Sequence, residues 1–194
     1  MKHKLYLKES KCTFAQPSLE YLGHVISAQG VSTAPDKIKA MLHWLVPATM
    51  TDLRAFLGLT GYYRNFVKHY GQITKPLTDI LRMKHFQWNP SAQTAFDNLK
   101  IAMTITPVLA LPNFQETFTV ETDACQDGIG AVLMQKGQPI AFLSKALGKK
   151  HKTLSIYEKE FLALIMAVER WRHYLQRKEF IIQTDHKSLA YLNE

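Results

Sequence analysis

The stretch "FTVETDACQDGIGAVL", Phe118–Leu133, decides how this chain is read. Phe118 and Val120, then Ile129, Ala131 and Leu133, alternate like strands with one buried face. Between the two runs Asp123 closes the first on the opposite parity, and Gly128 and Gly130 open the second. The stretch predicts two strands joined by a reversing "CQDG" turn, with a carboxylate at the mouth they share.

Working outward from that mouth, strand-like runs cover 117–123, 128–135 and 138–144, and helical spacing follows over roughly 154–175. "EFIIQTD" then reads as a fourth strand and "HKSLAYLNE" as the start of a helix. Strands, a helix, a strand and a helix describe a mixed α/β unit. Upstream, "PVLALPNFQE" is an extended connector. Before it, residues 33 to about 104 carry helical periodicity, with Pro35 at a first turn and Thr49 or Thr51 as an N-cap. Gly71 is the expected end of one of those helices. The first thirty residues read as strands, "KCTFA" and "LEYLGHVIS", separated by "QPS" and followed by an "AQG" turn. The expected fold class is α/β, mixed α+β overall: a small hairpin, a helical bundle, and a mixed sheet with flanking helices. The expected divisions are 1–32, 33–104 and 105–194.

Composition bounds the rest. Hydrophobic residues make up 46% of the 194, which excludes wholesale disorder. No apolar run reaches the roughly 18 residues of a membrane span, so no membrane partner is expected. The charged start "MKHKLYLKESK" precedes no apolar signal region. Cys12 and Cys125 stand apart without metal-ligand spacing and read as free thiols of an intracellular protein. The net charge of +8 is uneven, with 13 Lys/Arg against 6 Asp/Glu in residues 1–100 and 11 against 10 thereafter. A basic half beside a half with clustered acids suits a polyanion-binding module joined to a metal-binding one.

Three carboxylates stand out by position. Asp123 ends the first strand of the α/β unit, Asp185 ends the fourth, and Glu160 lies in the first turns of the long helix. If strands one and four are neighbours, the three acids converge at one mouth of the sheet, where α/β folds place their sites. Carboxylates without His or Cys favour Mg²⁺ (or Mn²⁺) over zinc. Glu158 competes with Glu160 on the same helix, and position in the pattern, not chemistry, selects between them.

At this point the residues carry a resemblance. "TDACQDGIGAVLMQ", "YEKEFLALIMAVERWRHYL" and "FIIQTDHKSL" resemble the RNase H domain of reverse transcriptases from gypsy-type LTR retrotransposons. "YLGHVISAQGV", "DKIKAMLHWLVP" and "DLRAFLGLTGYYRNFVKHYGQITKPLTDIL" resemble the segments just before it in that polyprotein. The resemblance spans almost the whole chain in the family's order. It implies a palm end with a primer-grip-like hairpin over 1–32, a thumb-like bundle over 33–104, and an RNase H-like domain from 105. It implies catalytic and metal-binding roles for Asp123, Glu160 and Asp185, with Glu160 favoured over Glu158 because "EFLAL" matches the family's helix start.

The same resemblance implies that Tyr21, Leu22, Gly23 and His24 position a primer end. Arg54, Gly58 and Tyr62, spaced four apart on one helix face, would lie against a duplex minor groove, and Arg64, Lys68, His69 and Lys75 would meet phosphates. Gly128 and Gly130 are expected to serve the turn and a close approach to a nucleic-acid strand.

The family's Tyr-x-Asp-Asp loop is absent from this chain, and its fourth carboxylate and late histidine would lie beyond Glu194. The expectation is therefore a fragment whose metal-dependent hydrolysis of the RNA strand of an RNA–DNA hybrid is weak or lost in isolation. The alternative is a non-catalytic module that binds nucleic acid or protein. Expected partners are an RNA–DNA hybrid or other nucleic acid, the remainder of a polyprotein, and a second copy in a homodimer. The expected location is cytoplasmic, in virus-like particles by the resemblance, with the nucleus as alternative.

Overall fold

The computed structural model describes residues 6–8, 10 and 12–184. Its three longest helices begin where side chains satisfy the first free amides. Thr49 Oγ1 accepts the Asp52 amide at 3.1 Å, and the Asp52 carboxylate accepts the Thr49 amide at 3.0 Å. This reciprocal cap starts α2 (Met50–Tyr62). Asn89 Oδ1 accepts the Ala92 amide at 2.8 Å and starts α5 (Pro90–Thr104). Between and before them lie α1 (Pro35–Leu42), a 3-10 turn (Arg64–Phe66), α3 (Tyr70–Ile73) and α4 (Lys75–Ile80). Met41, Leu53, Phe56, Leu77, Phe96 and Leu99 form the core of this helical unit. Burying each is worth about 1.5–3 kcal/mol.

β1 (Ser18–Tyr21), β2 (His24–Ser27) and β3 (Gly30–Thr33) form an antiparallel sheet before it. Two expectations fail here. The described part of "KCTFA", Cys12–Ala15, forms no strand, and "LEYLGHVIS" is two strands rather than one. The chain reverses at Leu22–Gly23, where φ is +50° and +77°. A two-residue hairpin loop with both residues left-handed matches the strand twist, and Gly23 accepts that backbone without a Cβ penalty. The expected "AQG" turn does join β2 to β3.

The second sheet contains β4 (Thr119–Ala124), β5 (Gly128–Gln135), β6 (Gln138–Ala146) and β7 (Ile181–Gln183), in the order β6-β5-β4-β7. β4 and β7 are parallel neighbours, with Glu121 beside Gln183, and the other pairs are antiparallel. After β6 come α6 (Lys149–Lys152), α7 (Ile156–Arg170) and α8 (Arg172–Leu175). The single helix expected over 154–175 is broken at Trp171, whose ψ of +18° departs from the helical value while its ring is buried. The helix expected at "HKSLAYLNE" lies outside the described residues.

Both faces of this sheet are covered. Phe118, Val120, Ala131 and Leu133 pack with Ala167 of α7, Trp171 and Leu175. On the other face Phe142 packs against the helical core, and Ser144 Oγ accepts the Gly71 amide at 2.9 Å and donates to Gln72 Oε1 at 3.2 Å. Gly71 therefore does not end a helix as expected, for α2 already ends at Tyr62. It sits inside α3, where a Cβ would lie 3.0 Å from Lys145 Cα and from the Ala146 amide. Among the described residues no helix is long and apolar enough to cross a membrane.

The first sheet is joined to the connector by paired bonds of 2.8 Å between Val31 and Leu109. Gly30 makes this approach feasible. Its φ is +135°, and a Cβ there would lie 2.1 Å from the Leu109 carbonyl oxygen. Gly30→Ala is expected to lower stability by about 1–3 kcal/mol through backbone strain and displacement of that bridge. Urea unfolding should show a lower midpoint with an unchanged m-value.

Candidate nuclease site and nucleic-acid interface

Strand alternation divides the residues of β4 between two environments. Val120 and Thr122 are buried, whereas Asp123 is exposed on the opposite parity with Glu121. Lys68 and His69, which precede α3, line one small space with Glu121 and Asp123. An adjoining cavity of about 290 Å³ is lined by Lys68, Glu121, Thr122, Asp123, Gln183 and Thr184. Nothing in the sequence pointed to Gln183 and Thr184; the parallel register of β7 with β4 brings them there.

Glu160 arrives from the α7 side. Only 2% exposed, its Oε1 accepts the Ala124 amide at 2.9 Å, one residue beyond Asp123. Glu158 has another role. Its Oε2 accepts the Ser155 amide at 2.7 Å while Ser155 Oγ accepts the Glu158 amide, a reciprocal cap on α7. Those bonds from Ser155, the backbone one foremost, hold the Glu158 carboxyl below its ordinary pKa. The sequence contains the signal that separates the two acids, since Ser155-x-x-Glu158 is a capping-box pattern.

The structure thus brings Glu160 to the strand end that carries Asp123, with the Asp123 side chain on the other parity of the strand. Asp185 lies outside the described residues. Among the described residues no three His, Cys, Asp or Glu side chains converge to hold a metal ion. Asp123 and Glu160 offer oxygen donors alone, which suit a hard divalent ion but supply only part of a coordination shell.

The turn between β4 and β5 is fixed differently from expectation. Neither Gly128 nor Gly130 has positive φ. A Cβ on Gly128 would lie 2.5 Å from Gln72 Cγ, so the close approach there is to the helical unit. A Cβ on Gly130 would meet only ordinary contacts, the nearest 3.7 Å from His69 Nδ1. Asp127 is paired with Lys152, whose hydrogen bond and charge hold the Asp127 carboxyl below its ordinary pKa.

The hairpin residues Tyr21, Leu22, Gly23 and His24 meet the C-terminal end of α2. The Tyr62 hydroxyl donates to the Leu22 carbonyl at 2.7 Å and the Tyr63 hydroxyl to the Gly23 carbonyl at 2.8 Å. The His24 ring stacks between Tyr62 and Phe66, with centroids 5.1 and 5.4 Å away. Tyr21 and Leu22 stay exposed. Arg54 and Gly58 are exposed along α2, Tyr62 remains half exposed, and a Cβ built on Gly58 would meet nothing within 4 Å beyond its chain neighbours and the backbone of its own helix. Arg64 and Lys68 are exposed, whereas Lys75 is paired with Asp79 rather than left open for phosphate.

Comparison with known proteins adds a family to this geometry. Residues 88–182 match the model described as the RNase H-like domain found in reverse transcriptase. The chain is 39% identical over 191 residues to the retrovirus-related Pol polyprotein from transposon 297 of Drosophila melanogaster, covering 97% of this chain and 18% of that protein. It is 50% identical over 118 residues to an uncharacterized mitochondrial protein of Arabidopsis thaliana, covering 60% of this chain and 75% of that one. The fold matches a foamy viral protease-reverse transcriptase in complex with RNA/DNA hybrid at a TM-score of 0.81 and 18% identity, over 88% of this chain and 24% of that one. The chain thus spans under a fifth of the transposon polyprotein.

His24 gives this interface a pH dependence. Burial lowers its pKa below the ordinary 6.5, so around and below pH 6.5 the unfolded chain takes up more proton than the folded one. The stability is complete above that value and is lost as pH falls through the lowered folded-state pKa. Urea midpoints at pH 7.5 and 5.5 should fall more for the parent than for His24→Phe, which keeps an aromatic ring between Tyr62 and Phe66.

Proposed function

We propose, from the premise that this chain belongs to the reverse transcriptases of retrotransposon polyproteins and carries their RNase H-like domain, that it serves as the duplex-holding and RNA-cleaving part of a gypsy-type enzyme. Residues 1–32, 33–104 and 105–194 would be its palm end, thumb-like bundle and RNase H-like domain, working inside the cell as part of a larger polyprotein. The observation that carries the reading is the Glu160 carboxylate, brought to the Ala124 amide beside Asp123.

Asp123, Glu160 and Asp185 would hold Mg²⁺ or Mn²⁺, which when bound supplies an activated water and stabilises the leaving oxygen. The chain's own groups do the positioning. The Ala124 amide fixes the Glu160 carboxylate, and Lys68, across the cleft from Asp123, offers a cation to a phosphate. Arg54, the open backbone at Gly58 and the Tyr62 ring provide a face for the minor groove of an RNA–DNA hybrid. A non-catalytic nucleic-acid-binding module is the second reading. It is favoured by the exposed α2 face, which needs no carboxylate to hold a duplex.

Incubating the chain with an end-labelled hybrid and Mg²⁺ or Mn²⁺ separates the two. Under the first reading the parent cleaves the RNA strand, weakly without the fourth carboxylate, and Asp123→Asn and Glu160→Gln each abolish that cleavage while hybrid binding persists. Binding without cleavage by the parent leaves the second reading standing. Gly58→Ala tests the groove-facing surface: removing a glycine from a helix interior should add about 0.5–1 kcal/mol of stability. Yet the added methyl should weaken hybrid binding several-fold. Thermal melts and binding isotherms on the same preparation would show both.

A further inference from the structure

A cavity of about 330 Å³ opens where the 3-10 turn, β6 and the end of α7 meet. Arg64, Lys145 and Arg170 line it, and no Asp or Glu does. Among the described residues none of the three cations makes an ion pair. Among the described residues the Lys145 ammonium has one hydrogen-bond acceptor, the weak Met166 Sδ at 3.9 Å. Three cations without a counter-charge repel one another and raise the local concentration of anions.

The rest of the lining selects among anions. Tyr70 and Phe142 also line the cavity. Tyr70 is fixed by a 3.0 Å hydrogen bond between its hydroxyl and Thr60 Oγ1, and Phe142 by packing on the helical core. Both are preorganised platforms for a flat ring. The volume lies at the small end of ligand sites, about 300–1,000 Å³. An inorganic ion would use the cations and leave the rings idle; a carboxylate metabolite has no need of two aromatic surfaces.

We infer that this cleft binds one nucleotide unit of a single-stranded nucleic acid, its phosphate clamped by Arg64, Lys145 and Arg170 and its base against Tyr70 and Phe142. β6 is the edge of the sheet opposite β7, so a strand lodged there leaves the Asp123 mouth and the α2 face open. The inference rests on the proposed function only in choosing nucleic acid as the anion.

The test measures anisotropy of a fluorescein-labelled 12-residue oligothymidylate over a range of salt, with Lys145→Gln/Arg170→Gln beside the parent. Lys37→Gln/Lys39→Gln on α1 carries the same change in net charge and serves as control. Losing two of the three cations on that one phosphate should cut strand affinity roughly tenfold and flatten the log–log salt slope by up to about 0.7, with the control unchanged. A labelled RNA–DNA hybrid is titrated in parallel. The cleft variant should hold it within about twofold of the parent, showing an intact fold, whereas Arg54→Gln should weaken it. Strand affinity and slope equal to the parent's, or a loss matched by the control, overturn the cleft. A hybrid that no variant weakens counts instead against the α2 reading.

Discussion

β4 can turn only alternate side chains to the same side, and it lies between two bodies that each need a surface. Phe118 and Val120 go into the core beneath α7, and Glu121 and Asp123 are left to the side where Lys68 and His69 lie. Hydrogen bonds on both edges, antiparallel to β5 and parallel to β7, pin this register. A slip of one residue would bury two carboxylates and expose the apolar row, at a cost that neither face could offset. The same constraint forces Glu160 to reach the strand end from the opposite layer.

A sheet used as a middle layer needs close contact on its second face as well. That contact is made by backbone: α3 presses Gly71 onto β6, and Gln72 occupies the space a side chain on Gly128 would fill. Ser144 joins the two by accepting from one residue and donating to the next. Each hydrogen bond is worth only about 0.5–1.5 kcal/mol net. The glycines matter more, because a methyl at Gly71 would hold the two backbones apart. This arrangement places the Arg64 turn, β6 and α7 around one cationic cleft, although their residues are far apart in the chain.

The hairpin and α2 form a second joint with different chemistry. Two tyrosine hydroxyls bond to the carbonyls of the turn, and His24 is sandwiched by rings. Tyr62 contributes to this joint while remaining half exposed on the surface that carries Arg54 and Gly58. A change at the turn will therefore be felt along α2, since both depend on the same ring.

The chain on its own determined most of the elements, because helix spacing, strand alternation and cap residues act over a few neighbouring positions. Asp123 was legible as the carboxylate that closes its strand on the parity opposite to Phe118 and Val120. The Ser155–Glu158 cap was equally legible and separates Glu158 from Glu160 without any structure. Tertiary structure decided what those residues meet. The displacement of Gly71 from helix end to contact point and the use of Gly128 to admit Gln72 follow from packing between distant segments. Likewise Lys68, Gln183 and Thr184 reach Asp123 only through strand pairing and the approach of α3 to β6. Local sequence sets the backbone angles; which surfaces come together is set by the burial of both faces of one sheet, a condition no short window contains.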